Sequence, residues 1–438
     1  MTAADVRVPH ARLIVAAAAL VACAAILWLS RTYTFYFDEW TFITNAPDWT
    51  FRSYFEPHNE HPSILFLAVY AALLNTVGLR TYLPYMALLL LAHFANVLLL
   101  FELVRRRAGD LVGMAAAALL LVLGAGWEDM LWAFQMAWLA SVAFGLGGLL
   151  LLQSPRRIGA ATACVTASLA FSGIGAVFAT AAAVQLAFSP ARRRELLWFV
   201  PVGVAVAAWY VAFGRFGEHP NPPPTAANLL LDPLYALWGL SQSAVGLIGL
   251  GGWVGVPVLA IAAAVIAWRW VRRRPDSFGV SAMVALVSFY LLTGLTRAQL
   301  GYEQAGSSRY IYVAAALWLI VLGDLARDLP WRGTWRPALV ACVFLAFFNS
   351  GVLLFSYAAA RTVLMERQVA DFYALAAMRS DPCLAPAGAV DLLVMPVERD
   401  PAAYYRAVDR YGDPRAGMPL LDRASYEQGV RNLRKANC

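Results

Sequence analysis

Apolar runs of about 20 residues, the length needed to cross the hydrocarbon layer of a bilayer, alternate with short arginine clusters along most of this chain. Positive residues beside such runs favour the cytoplasmic side. Five clusters carry the pattern: Arg105 to Arg107, Arg156–Arg157, Arg192 to Arg194, Arg272 to Arg274, and Arg327 with Arg332 and Arg336. Placing all five inside predicts an all-α polytopic membrane protein of about 11 transmembrane helices, with further outer surface or re-entrant helices. The predicted spans are 13–30, 83–104, 110–126, 133–152, two short helices within 158–190, 195–213, 253–271, 278–296, 309–327 and 336–357.

The short pair turns at Ser172-Gly173-Ile174-Gly175, because a single helix there would put one arginine cluster outside. For the same reason 62–78 and 234–250 are read as helices lying at or dipping into the outer surface. The run Glu218-His219-Pro220-Asn221-Pro222-Pro223-Pro224 cannot be regular helix and reads as an outer loop. The expected organisation is a membrane domain over 1–357, with a first outer loop at 31–82, followed by a small extracytoplasmic tail over 358–438.

Composition agrees with this reading. Apolar residues make up 61% of the 438 and charged residues 14%, against about 25% charged in soluble domains. The net charge of +7 does not indicate nucleic acid, because the arginines fall between apolar runs and form no groove-binding face. Lys435 is the sole lysine, a bias that points to a GC-rich bacterial genome. Leu20-Val21-Ala22-Cys23 resembles a lipoprotein cleavage box, but the apolar run continues past it, so a retained signal-anchor helix fits better. Cys383 and Cys438 lie in the exported tail and are expected to form a disulfide.

Candidate chemistry concentrates on the outer side. Asp38, Glu39 and Trp40 follow the first helix, and His58, Asn59, Glu60 and His61 follow them. Ionisable residues so close to a membrane are costly and often functional. Asp38 and Glu39 read as solvated loop acids, as a general base, or, with Glu60 and a histidine, as ligands for a divalent ion such as Mg, Mn or Ca. Glu128 and Asp129 form a second outer acidic pair, with Gln135 just beyond. Arg297, Arg309 and Tyr310 lie at outer helix ends against the positive-inside bias, which asks for an anionic partner such as a lipid phosphate. No P-loop, dinucleotide fingerprint or nucleophile elbow stands where it could work.

These motifs, in this order and on one side, resemble the membrane-embedded GT-C glycosyltransferase superfamily, which includes the protein mannosyltransferases and aminoarabinose transferases. The match rests on Asp38-Glu39 after the first helix, His61-Pro62 opening a surface segment, Leu83-Pro84, Arg105 to Arg107, Glu128-Asp129 and Ser308-Arg309-Tyr310. The chain departs in Asp38-Glu39-Trp40, where some families carry two aspartates or Asp-Glu before a small residue. The resemblance implies a polyprenyl-phosphate-sugar donor and a glycan, lipid or protein acceptor. It implies Asp38 as general base or acceptor-orienting acid, Glu39, Glu60 and His58 assisting it or holding a metal, and donor phosphate held by Arg297, Arg309 and Tyr310. It also implies acceptor or sugar contacts from His61, Trp40, Glu128, Asp129 and Gln135, at the outer face of a bacterial plasma membrane. The competing readings are a transporter or flippase for a lipid-linked sugar, and a non-catalytic cell-envelope assembly protein.

Overall fold

The computed structural model describes residues 2–58, 60–216, 225–328 and 330–438, and no strand occurs among them. The Pro-rich run 218–224 and Asn59 lie outside the described residues. The helices are α1 (Ala11–Leu29), α2 (Glu39–Asn45), α3 (Ile64–Thr76), α4 (Leu83–Leu121), the single turn α5 (Glu128–Leu131), α6 (Met136–Leu152), α7 (Ile158–Phe171) and α8 (Gly175–Ala187). They continue with α9 (Val200–Ala212), α10 (Ala226–Gly246), α11 (Gly255–Arg272), α12 (Ser277–Arg297), α13 (Ser308–Leu325), α14 (Trp335–Met378), α15 (Pro401–Tyr411) and α16 (Arg423–Leu433).

Among the described residues eight helical stretches are long and apolar enough to cross a membrane. The chain is therefore an all-α, multi-pass membrane protein. The count differs from the eleven expected in two places. First, the count takes α4, 39 residues long, as one stretch, although its backbone breaks at Gly109 (φ 84°, ψ 175°), between the expected spans 83–104 and 110–126. A Cβ at Gly109 would lie 2.7 Å from the Ala4 backbone, so the N-terminal turn Ala3–Asp5 seats against the break. Second, α7 and α8 form the expected pair on either side of 172–174, but they have 14 and 13 residues. At 1.5 Å per residue each extends only about 20 Å, short of the roughly 30 Å hydrocarbon layer.

The outer segments also have different bounds from those expected. The segment read at 234–250 begins at Ala226, runs through an internal Pro233, and buries Asn228, Asp232, Ser241, Gln242 and Ser243 against its neighbours. Helix α14 does not stop at 357 but continues unbroken to Met378, so the tail is an extension of the last helix. Beyond it α15 and α16 fold back, and Cys383 is bonded to Cys438.

The arginine clusters meet at one end of the bundle. Glu102 accepts from Arg12 (3.0 Å), Arg105 (3.1 Å) and Arg106 (2.9 Å), while Arg105 also reaches Asp110 (3.3 Å). Arg107 pairs with Asp324 (3.2 Å) and Asp276, and Arg273 and Arg269 pair with Asp328. Arg192 donates to the Leu152 carbonyl (2.6 Å), which ties the third cluster to the end of α6. The residues assigned above to the outer side lie at the opposite end of the same helices.

Candidate functional site

Among the described residues three non-glycines have left-handed backbone, and two of them, Phe37 (φ 55°) and Glu60 (φ 70°), lie in the first loop with its acids, the third being His10. Such conformations cost about 1 kcal/mol or more and persist only where neighbours hold them. The Phe37 N–H is held by the Val394 carbonyl of the tail (3.0 Å). Glu60 is held in a turn in which His58 and His61 exchange both backbone hydrogen bonds (3.1 and 3.0 Å).

Asp38 and Glu39 have opposite environments. Glu39 is wholly buried. Its carboxylate accepts from the Tyr36 N–H (3.0 Å), the Tyr70 hydroxyl (3.3 Å), the Tyr82 hydroxyl (2.9 Å) and the Trp132 Nε1–H (3.2 Å). Burial pushes its pKa up to about 8, against the opposing pull of the Tyr82, Tyr36 and Trp132 hydrogen bonds and of Arg361. Glu39 thus anchors the turn. Asp38 is only partly buried and its carboxylate makes no hydrogen bond among the described residues. Burial raises its pKa, Arg309 lowers it and Glu128 raises it, so these three side chains share one field.

The second acidic turn docks on the start of α13. The Glu128 N–H donates to Ser308 Oγ (3.1 Å), and Glu128 Oε2 accepts from the Arg309 N–H (3.2 Å) with Arg309 Nε at 3.6 Å. A carboxylate there satisfies an orphan donor at the positive end of the helix dipole. Asp129 is wholly buried and neither of its oxygens has a hydrogen-bond partner among the described residues. Burial and then Glu128 push its pKa well above the ordinary value, against Arg309.

A third group lies around the 58–61 turn. Glu60 Oε2 faces Arg297 Nη2 at 3.9 Å, and Arg297 also donates to Thr296 Oγ1 (3.1 Å). His61 lies against Gly173 so closely that a Cβ on Gly173 would come within 2.5 Å of its Nδ1, which locks the α7–α8 turn to the first loop. The His58 ring packs edge-on to Phe42 (4.5 Å) and Phe134 (5.7 Å). Burial lowers both histidines to about 4, with Arg297 and His58 adding to the effect on His61.

The expected residues therefore separate into two clusters, Asp38–Glu128–Asp129–Arg309 and Glu60–His61–Arg297. The divalent-ion ligand set of Asp38, Glu39, Glu60 and a histidine does not converge. Glu39 is enclosed by tyrosines, Glu60 faces Arg297, and no group of three potential ligands forms among the described residues. Three contact assignments need correction. Trp40 is wholly buried between Phe35, Phe372 and Tyr404, and so cannot face an acceptor. Tyr310 is buried and stacks on Trp138 at 5.7 Å, and Gln135 is also buried, which withdraws both from an open cavity.

Two features escaped the sequence reading. Arg361, 3% exposed, lies over the Tyr36 ring at 4.2 Å, with Trp132 at 5.6 Å and Trp127 at 6.0 Å. It has no carboxylate partner among the described residues, and its Nε makes no hydrogen bond. Its signal was the 3.6-residue spacing of Arg361, Met365, Gln368, Phe372 and Leu375 on the buried face of α14. The second is a polar chain inside the bundle: His93 Nδ1 to the Tyr312 hydroxyl (2.7 Å), His93 Nε2 to the Leu121 carbonyl (3.2 Å), and Asn96 to the Leu139 carbonyl (3.0 Å). Its signal was a histidine and an asparagine within an apolar span. Comparison with protein-family models, with curated proteins and with solved structures found no match for this chain.

Proposed function

We propose that this protein is a GT-C-like membrane glycosyltransferase of the bacterial plasma membrane. It moves a sugar from a polyprenyl-phosphate donor to a hydroxyl of a glycan, lipid or protein acceptor on the extracytoplasmic face. The observation that carries the reading is the environment of Asp38. Its carboxylate makes no hydrogen bond among the described residues, it sits in the field of Arg309 and Glu128, and it lies at the end opposite the arginine clusters.

In this reading Asp38 takes the proton of the acceptor hydroxyl as its oxygen attacks the anomeric carbon. The bond from that carbon to the phosphate oxygen breaks on the opposite face, so the configuration inverts. The polyprenyl phosphate leaves with the bonding pair, and Arg309 and Arg297 stabilise the charge it gains. Glu39 supports the chemistry by fixing the turn that presents Asp38.

A transporter or flippase reading draws on the polar chain of His93, Asn96 and Tyr312 within the bundle. One experiment separates the two. Membranes holding wild type or Asp38→Asn are supplied with labelled polyprenyl-phosphate sugars. Donor consumption by wild type alone supports transfer. Movement of label across the membrane without consumption supports transport. Full activity in Asp38→Asn would remove Asp38 from the mechanism.

A further inference from the structure

At the arginine end, α11, α12 and α13 enclose a cavity of about 270 Å³ lined by Arg269, Trp270, Arg273, Arg274, Asp276, Asp324 and Arg327. Four guanidinium groups there face two carboxylates. Adding the bonded neighbours Arg107 and Asp328 makes five against three, so a surplus of positive charge remains after the internal pairs form. Arg274 carries part of that surplus: it is exposed and makes no ion pair or hydrogen bond among the described residues. The neighbouring face of α11 is apolar and open, with Val265 45%, Trp268 52% and Val271 87% exposed. Basic headgroup-sized cavity and apolar outer face thus adjoin at the level where helices leave the bilayer.

We propose that this cavity binds the phosphate of an anionic phospholipid, with Arg274 and Arg273 on the phosphate oxygens and the acyl chains along α11. Guanidinium matches phosphate geometry, and basic pockets between helices on the cytoplasmic side suit such headgroups. The site is independent of the transfer chemistry at the other end. A zwitterionic lipid carries the same phosphate with a compensating cation and fits a positive cavity less well.

The test is native mass spectrometry of the full chain in detergent, titrated with phosphatidylglycerol, with chain-matched phosphatidylcholine, and with inorganic phosphate. Arg274→Gln breaks no internal contact, and Arg157→Gln removes the same charge elsewhere at that end. Wild type is expected to retain phosphatidylglycerol over phosphatidylcholine. Arg274→Gln should weaken it about tenfold or more, as loss of a charged hydrogen bond implies, while Arg157→Gln should cost no more than the about fivefold general surface attraction per charge. Equal losses in both variants, equal binding of the two lipids, or occupancy by inorganic phosphate that phosphatidylglycerol does not displace would each overturn the proposal.

Discussion

Replacing Glu39 tests whether its carboxylate holds the first outer loop together. The two rigid donors, the Tyr36 N–H and the Trp132 Nε1–H, both end on Oε2, whereas Oε1 receives only tyrosine hydroxyls that can rotate. Glu39→Gln keeps a carbonyl oxygen for the rigid donors and turns its NH2 towards Tyr70 and Tyr82, whose hydroxyls can accept. Its expected cost is within about 1 kcal/mol. Glu39→Ala strands both rigid donors in a dry interior, at about 4 kcal/mol for the pair. The pH dependence follows from the pKa of about 8 against an ordinary 4.5. The folded state binds the proton more tightly, so this contribution is fully present below about pH 4.5 and is lost as pH rises through about 8. The slope over that window is about 1.4 kcal/mol per unit. Thermal unfolding in detergent, followed by tryptophan fluorescence across pH 5 to 9 (roughly the window set by these two values), reads all three quantities. Glu39→Gln should melt near wild type with a flatter pH profile, and Glu39→Ala several degrees lower. Equal stability of Ala and wild type, or Gln as damaging as Ala, would refute the anchoring argument.

Other outcomes follow from the same geometry. The histidines, lowered to about 4 by burial, contribute stability that is present above about pH 6.5 and lost as pH falls through about 4. His58→Gln should therefore flatten the acid limb of a melting-versus-pH curve without touching the alkaline one. Arg361→Gln removes a desolvated cation from the Tyr36 face and should cost about 2 kcal/mol. Arg361→Lys should recover part of that in the same melting assay. Reducing the Cys383–Cys438 bond frees a loop with a sequence separation of 55. It should lower tail stability by about 4 kcal/mol on loop entropy, seen as faster proteolysis after residue 378 under reducing conditions.

The arginine clusters made the two ends of the bundle legible, because a guanidinium group at a helix end both marks sidedness and seeks acids, here Glu102, Asp276 and Asp324. Keeping those clusters on one side also gave the short α3 and the α7–α8 pair. The same clusters separated the spans expected at 83–104 and 110–126, and the backbone breaks between them at Gly109. The extension of α14 was missed because polarity was taken as the end of the helix. Residues 358–378 are mixed in polarity but periodic, and they bury one face against protein where the preceding turns are mostly exposed. The division of labour between Asp38 and Glu39 could not be read from adjacent acids. It depends on Tyr70, Tyr82 and Trp132, which reach Glu39 from three other segments.

The clasp between the tail and the first loop sets an order for biosynthesis. Phe37 waits for Val394, Leu79 for Tyr411, and Trp40 for Phe372 and Tyr404. Roughly 350 residues separate the ends of the first of these contacts, so at 5–20 residues per second the loop stands unfinished for about 20 to 70 s. During that interval the turn bearing Asp38 lacks its backbone restraint, and a chain interrupted before Val394 never acquires it. The segment that follows α14 thus completes a loop made some 350 residues earlier (roughly the Phe37–Val394 separation), so the turn bearing Asp38 gains its restraint only once that segment has been translated.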